Sequence, residues 1–137
     1  MSNKILKNVL LVDDDSINNY INERLLKKMN ICENIKVLLN GEEAIKHIEQ
    51  EIAQDNSYTP DLILLDINMP VMDGFEFMEA FKKLDLEKKE KVVIIMLTTS
   101  TNPGDMDRVK HSIASDFINK PLTEDKISGI LNKYLQV

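Results

Sequence analysis

The sequence lacks the features that mark disulfide-bonded, membrane-spanning and nucleic-acid-binding proteins. Its single cysteine, Cys32, excludes an internal disulfide, so a reducing compartment such as the cytoplasm is expected. No apolar run approaches the ~20 residues of a membrane-spanning helix, and no signal-peptide segment is expected at the start. With 17 basic against 23 acidic residues, the net charge of −6 argues against nucleic-acid binding. The length predicts a single domain over residues 1–137.

Short apolar runs and segments with helical spacing alternate along the chain. Strands are predicted at 8–12, 35–39, 62–65, 92–97 and 117–118. The first, third and fourth runs are continuously apolar, which is typical of parallel strands covered on both faces. Helices are predicted at 16–29, 42–54, 74–83 and 105–115 and after Thr123. This order predicts an α/β fold, in which a parallel sheet carries helices on both faces.

The first predicted helix has a cap residue and an apolar stripe. Ser16 is a suitable N-cap, because its hydroxyl can accept a hydrogen bond from the first turn. The stripe would face the core and consists of Ile17, Tyr20, Ile21, Leu25 and Leu26.

Acidic side chains follow two of the predicted strands. Asp66 ends the run 62–65, and three aspartates at 13–15 follow the first run. Open α/β sheets carry their chemistry at the carboxyl ends of the strands. If these two strands are neighbours, at least three carboxylates converge, and such a cluster repels itself unless a cation lies in it. The sequence therefore predicts a divalent metal beside one special aspartate.

Taken together, the polar residues at successive strand ends carry a family resemblance. The chain resembles the receiver domain of two-component response regulators, especially stand-alone receivers of the chemotaxis type, over about 7–134. The residues that carry the resemblance are Asp13 and Asp14, Asp66, Thr98, and Lys120-Pro121. The loop DINMPVMDG, which begins at Asp66, is a specific match by itself. The resemblance implies a flavodoxin-like (βα)5 fold with strand order 2-1-3-4-5 and no output domain.

The resemblance also implies a role for each acidic and basic residue. Asp66 would accept a phosphoryl group from a histidine kinase or a phosphotransfer protein. Asp13 and Asp14 would hold Mg²⁺, together with Asp66 and the backbone carbonyl of Asn68. Lys120 would pair with the phosphoryl group. The chain is then expected to be a signalling module that catalyses only its own phosphorylation and dephosphorylation.

Thr98 and Phe117 form the implied switch. The Thr98 hydroxyl would bind a phosphoryl oxygen, and Phe117 would turn inward behind it. This movement would change a protein-binding face made by the fourth helix, the fifth strand and the fifth helix. Asn68 and Ser100 occupy positions that tune self-dephosphorylation in the family. The sequence leaves open the cognate kinase, the downstream partner, the stimulus, the phosphoryl lifetime and the choice between a monomer and a weak homodimer.

Two other interpretations stay open at this stage. A Mg²⁺-dependent phosphohydrolase with an aspartyl nucleophile would also place Asp-x-Asp after its first strand, and residues 13–15 contain that spacing. The large cap of such enzymes has little room in this chain. A receiver that serves only as a binding scaffold would not need the complete set of polar residues. A register shift of the metal pair onto Asp15 is disfavoured by the apolar Leu11 and Val12 before Asp13.

Overall fold

The computed structural model describes residues 6–99 and 102–135. Strands and helices alternate throughout this part of the chain, and a short 3₁₀ turn at Lys89–Lys91 precedes the fourth strand. The elements are β1 Leu6–Val12, α1 Ser16–Met29, β2 Cys32–Leu38, α2 Gly41–Gln54, β3 Leu62–Asp66, α3 Gly74–Lys82, β4 Val93–Thr98, α4 Pro103–Lys110, β5 Asp116–Asn119 and α5 Glu124–Tyr134.

The five strands form one parallel sheet in the order β2-β1-β3-β4-β5. This confirms the predicted strand order and the α/β class. In the register of the sheet, Val12 lies opposite Leu65, and Thr98 lies opposite Asn119. The carboxyl ends of β1, β3, β4 and β5 therefore meet along one edge of the sheet, where the predicted site residues follow.

Two apolar clusters cover the faces of the sheet. One packs α2, α3 and α4 against it, and the other packs α1 and α5. The β3 run divides between them, because Leu62 and Leu64 point to the second cluster while Ile63 and Leu65 point to the first. All four side chains are fully buried. A strand covered on both faces has no solvent side, which explains its continuously apolar sequence.

The second strand begins earlier than predicted. We expected it at 35–39, but β2 begins at Cys32, which pairs with Leu6 of β1, and it ends at Leu38. β2 is an edge strand with Glu33, Asn34 and Lys36 exposed. Backbone pairing with β1 extends the strand through residues whose polar side chains gave no apolar signal.

The fourth helix is shorter than predicted and lies earlier in the chain. We expected 105–115, but α4 spans Pro103–Lys110. The Asn102 side chain accepts a hydrogen bond from the Gly104 N–H, which starts the helix with Pro103 in its first turn. Ser115 donates its N–H to the carbonyl of Ile94 in β4, so this end of the segment already leads into β5.

The first helix has the predicted bounds but a different cap and a different buried face. Asp15 is the N-cap rather than Ser16. The predicted apolar stripe was wrong at its start, because Ile17, Tyr20 and Ile21 are 70%, 61% and 54% exposed. The face that packs on the sheet instead carries Asn19, Asn22 and Leu26. No helix within residues 6–99 and 102–135 is long and apolar enough to cross a membrane.

Candidate functional site

Three carboxylates converge at the tips of β1 and β3. One oxygen each from Asp13, Asp14 and Asp66 lies within 4.8 Å of the other two. Asp13 is 2% exposed, Asp66 is half-buried and Asp14 is exposed to solvent. Three carboxylate oxygens suit a hard divalent cation such as Mg²⁺, which also keeps several waters. The donor set therefore fits the predicted metal, with the open side of the cluster at Asp14.

Hydrogen bonds fix Asp13 on all sides. Its backbone N–H donates to the Leu38 carbonyl at 3.0 Å, and its carbonyl accepts from Asn19 Nδ2 at 2.7 Å. The carboxylate Oδ1 accepts from the Asp15 N–H at 2.9 Å, and Oδ2 accepts from Lys120 Nζ at 3.0 Å. Both the backbone and the carboxylate of this buried acid thus have defined directions.

The third aspartate of the run has a different task. The Asp15 carboxylate accepts hydrogen bonds from the N–H groups of Ile17 and Asn18, at 2.9 and 3.2 Å, and so caps α1. It is not one of the three clustered carboxylates. The geometry therefore favours Asp13 and Asp14, rather than a pair shifted onto Asp15.

Lys120 brings a positive charge into the cluster from the end of β5. Its Nζ lies 3.0 Å from Asp13 Oδ2 and 3.5 Å from Asp66 Oδ1. Its backbone N–H donates to the Thr98 carbonyl at 2.9 Å, and the Lys120-Pro121 peptide is cis. Burial acts to lower the pKa of Lys120, but the two aspartates outweigh it and the pKa is raised. The lysine therefore stays charged.

The pKa of Asp66 is set by its burial and by the charged groups around it. Burial, and then the negative charge of Asp13, raise the pKa of Asp66 to about 6, while Lys120 acts in the opposite direction. Lys120 does not offset the combined effect of burial and of the charge on Asp13. A bound cation would supply the missing positive charge.

The loop after Asp66 is held close to the strand by a glycine. A Cβ at Gly74 would lie 2.6 Å from the Asp66 carbonyl oxygen, so no side chain fits there. Asp73 and Glu76 form a capping box that begins α3 directly after this contact. Between them and Asp66, exposed Val71 adopts a left-handed φ of 70°. The glycine and the cap together fix the loop that follows the central aspartate.

The remaining predicted residues differ in where they lie relative to the cluster. Thr98 is buried at the tip of β4, next to the β5 end that carries Lys120. Asn68 is exposed, two residues after Asp66. Phe117 is exposed on β5, where it lies opposite Met96 of β4. Ser100 lies outside the described residues.

Asn19 is a residue of the site that the sequence-based interpretation missed. It is buried on α1, and its side-chain amide donates a hydrogen bond to the Asp13 carbonyl. The available signal was an asparagine one turn into an otherwise amphipathic helix, directly after the acidic run. The predicted apolar stripe of that helix does not include Asn19, although it shares Leu26 with the buried face.

Comparison with known proteins gives a consistent family. The family model of the response regulator receiver domain matches residues 9–132. The chain is 31% identical to the two-component response regulator ORR41 of Oryza sativa subsp. japonica, covering 98% of each protein. A crystal structure of a two-component response regulator from Cytophaga hutchinsonii superposes with a TM-score of 0.84 at 30% identity, covering 96% of this chain and 98% of that one.

Other similar proteins include a receiver domain solved in a complex and regions of much longer chains. The receiver domain of Saccharomyces cerevisiae Ssk1, solved with the histidine phosphotransfer protein Ypd1, superposes with a TM-score of 0.73 at 25% identity, covering 95% of this chain and 90% of that one. Matched hybrid histidine kinases of Dictyostelium discoideum are far longer, and the chain covers 3% to 8% of them. Receiver domains are signalling modules that bind Mg²⁺ at an acidic pocket and take phosphoryl groups from histidine kinases or phosphotransfer proteins. The chain belongs to the response regulator receiver domain family.

Proposed function

We propose that Asp66 accepts a phosphoryl group from a histidine kinase or a phosphotransfer protein in a Mg²⁺-dependent reaction. The observation that carries this proposal is the convergence of Asp13, Asp14 and Asp66 within 4.8 Å at the strand tips, with Lys120 against two of them. Neither a buried core nor a simple turn needs this concentration of like charge, which costs stability. The cluster is therefore best explained as a binding site for a cation and a phosphoryl group.

Each residue of the cluster has a distinct task in this reaction. An Asp66 oxygen attacks phosphorus and forms the acyl phosphate as the bond from phosphorus to the donor histidine breaks. Asp13, Asp14, Asp66 and the backbone carbonyl of Asn68 would hold Mg²⁺, which would supply positive charge to offset the charge of the phosphoryl group. Lys120 stays protonated and pairs with the phosphoryl group once Asp66 is phosphorylated.

The output would pass from the tip of β4 to the neighbouring strand β5 and to α4 and α5. Buried Thr98 would donate its hydroxyl to a phosphoryl oxygen, and exposed Phe117 would turn inward behind it. Phe117 borders a groove between β5 and α5 that also contains Ile118, Lys126 and Ile130. We propose that α4, β5 and α5 form the switched protein-binding face.

The exposed face of α1 is a suitable docking surface for the phosphoryl donor. Ile17, Tyr20 and Ile21 lie in the first turns of α1, directly after the acidic run, and each is more than half exposed. Exposed apolar side chains in a row are typical of interaction sites rather than of free surface. The similar receiver domain of Ssk1 was solved in complex with a phosphotransfer protein. We propose that this face of α1 binds such a donor.

The phosphohydrolase alternative is weakened by the position of Asp15. An Asp-x-Asp enzyme would bring the first and third aspartates of the run to the reaction. Here the third carboxylate is bound to the helix N-terminus, and the clustered pair is Asp13 and Asp14.

We further propose that residues 1–137 act together as one receiver unit.

Intact-mass measurement after treatment with acetyl phosphate and Mg²⁺ tests the assignment. The wild type should gain one phosphoryl group, and Asp66→Asn should gain none. Asp15→Asn is the matched control, since asparagine caps a helix as well as aspartate does and the cluster is untouched. A label that persists in Asp66→Asn, or an unlabelled wild type, would refute the proposal. Labelling of the wild type that is independent of Mg²⁺ would refute the role of the metal.

Docking on α1 is tested separately with Ile21→Lys. Phosphotransfer from a phosphorylated donor protein should slow by about tenfold, because a charge replaces part of the apolar contact. Labelling by acetyl phosphate should stay unchanged, since a small donor does not use this surface. Equal rates of transfer from the donor protein to the variant and to the wild type would contradict the docking assignment.

A further inference from the structure

Asn19 is a buried amide that the packing of α1 does not require. It is 4% exposed and lies on the helix face that packs against the sheet. Its Oδ1 is buried and has no hydrogen-bond partner among the residues described. An apolar side chain of similar size would avoid that unpaired oxygen and fill the same space. The fold alone therefore gives no reason for asparagine at this position.

The hydrogen bond made by the Nδ2 group of Asn19 explains why an amide lies here. Asn19 Nδ2 donates to the Asp13 carbonyl at 2.7 Å, which is at the short end for an N–H···O bond. Asp13 is the first residue beyond β1, so its carbonyl no longer belongs to the sheet. It also precedes the N-cap Asp15, so its carbonyl lies outside the helix as well. Asn19 thus binds a carbonyl that neither element satisfies.

This bond completes the restraint of the Asp13 backbone. The Asp13 N–H is held by Leu38 on one side, and the carbonyl is held by Asn19 on the other. With both flanking peptide groups fixed, the direction of the Asp13 Cα–Cβ bond is fixed as well. That direction places the carboxylate beside Lys120 and within the cluster that contains Asp66.

We propose that Asn19 is a positioning residue for Mg²⁺: its amide orients the Asp13 backbone so that the carboxylate faces the cation. The inference rests on the proposed function, since it assigns a role toward the metal of that same site. Asn19 does not touch the metal or the phosphoryl group in this role. Its effect is on the binding constant of the cation, because a mobile Asp13 would have to be ordered when the ion binds. Groups that orient metal ligands commonly change metal affinity by about 10–100-fold.

The test compares Asn19→Leu with Asn22→Leu. Asn22 is the matched control, because it is 7% exposed on the same helix face and no hydrogen bond joins its side chain to Asp13 within the described chain. Mg²⁺ is titrated into each metal-free protein, and binding is followed by backbone amide chemical shifts. We expect Asn19→Leu to weaken Mg²⁺ binding by about tenfold and Asn22→Leu by less than about twofold.

A second readout separates positioning from a loss of structure. The Mg²⁺ concentration for half-maximal labelling by acetyl phosphate should rise by about tenfold in Asn19→Leu, while the rate at saturating Mg²⁺ stays within about threefold of wild type. A structural defect would instead lower the saturated rate and would affect both leucine variants alike. Thermal melts of the metal-free proteins identify variants that are poorly folded.

The outcomes are distinguishable from those that test the proposed function. If the wild type binds no Mg²⁺ or is not labelled, the proposed function itself fails. If the wild type does both, but Asn19→Leu binds Mg²⁺ within about twofold of it, only the role of Asn19 is overturned. Equal weakening in Asn22→Leu overturns it too. If Asn19→Leu does not fold, Asn19→Ala replaces it, and failure of both to fold assigns the amide to the fold and overturns the proposal.

Discussion

Replacing Asp66 by asparagine should stabilise the Mg²⁺-free protein above pH 6. Burial and the charge of Asp13 raise the pKa of Asp66 from an ordinary 3.8 to about 6. The folded protein therefore holds this proton to a higher pH than the unfolded chain does. By linkage, the free energy of unfolding falls as the pH rises from 3.8 through 6, and it stays lower above that window. Asparagine carries no charge and avoids this loss.

The size of the effect follows from the same two pKa values. Their separation corresponds to ~3 kcal/mol, which is an upper bound. The Asp66 side chain is 13% exposed, so solvent screens part of the repulsion. We therefore expect Asp66→Asn to raise the free energy of unfolding by about 1–2 kcal/mol at pH 8. Lys120 keeps its 3.0 Å contact with Asp13 in the variant and is not left unpaired.

Urea unfolding in EDTA, followed by far-UV circular dichroism, measures this difference. It should be largest at pH 8 and should shrink toward pH 4, where Asp66 is protonated in the folded wild type. Exposed Asp85 provides a control outside the cluster, and Asp85→Asn should change stability by less than about 0.5 kcal/mol. Millimolar Mg²⁺ should reverse the order of the two proteins, because the wild type retains a charged ligand that the variant lacks.

Two results would refute this reasoning. The first is an Asp66→Asn variant that is no more stable than the wild type at pH 8 in EDTA. The second is a stability difference of the same size at pH 8 and near pH 4, which would show that the substitution acts through packing rather than charge. Either result would mean that the carboxylate cluster is not under electrostatic strain in the metal-free protein.

Three further substitutions test other parts of the structure. Lys120→Ala should still bind Mg²⁺, but its free energy of unfolding in EDTA should fall by about 1–3 kcal/mol, because buried Asp13 loses the lysine ammonium as its partner. Urea unfolding measures this difference. Normal phosphorylation-dependent partner binding in the variant would contradict the role of the lysine. Val71→Asn should raise stability by about 1 kcal/mol, because a β-branched residue is strained at a φ of 70°; an unchanged or lower melting temperature would argue against that strain. Burial acts to raise the pKa of Asp116, but hydrogen bonds, including one from Tyr134 Oη at 2.6 Å, outweigh it and lower the pKa. Tyr134→Phe should therefore raise the pKa of Asp116 and lower the free energy of unfolding by about 1 kcal/mol at pH 7. In the wild type this stabilisation is lost as the pH falls through the lowered pKa. An NMR titration of Asp116 that is unchanged in the variant would contradict this.

The order and type of the elements could be predicted from the sequence because their signals are local. The run 62–65 is apolar at every position, which indicates a strand covered on both faces, and it is β3 at the centre of the sheet. Parallel strands end at one edge, so acids that directly follow two such runs were expected to meet there. Asp13, Asp14 and Asp66 do lie together, with Lys120 against them. The βα periodicity and the positions of the aspartates predicted the acidic cluster, whereas the place of Lys120 and the strand order were implied by the resemblance to receiver domains.

Only the tertiary structure decided which surfaces are covered. Ile17 and Ile21 are apolar and correctly spaced for a core, yet they are exposed, while Asn19 is buried. Helical periodicity identifies two faces of a helix but does not say which one meets the sheet. In the packed structure Asn19 lies on the face that meets the sheet, where its amide binds the Asp13 carbonyl, a backbone group whose position is set by the strand before it. The pairing of a backbone group with a side chain from another element is not contained in any local pattern, so it became apparent only when the elements were packed together.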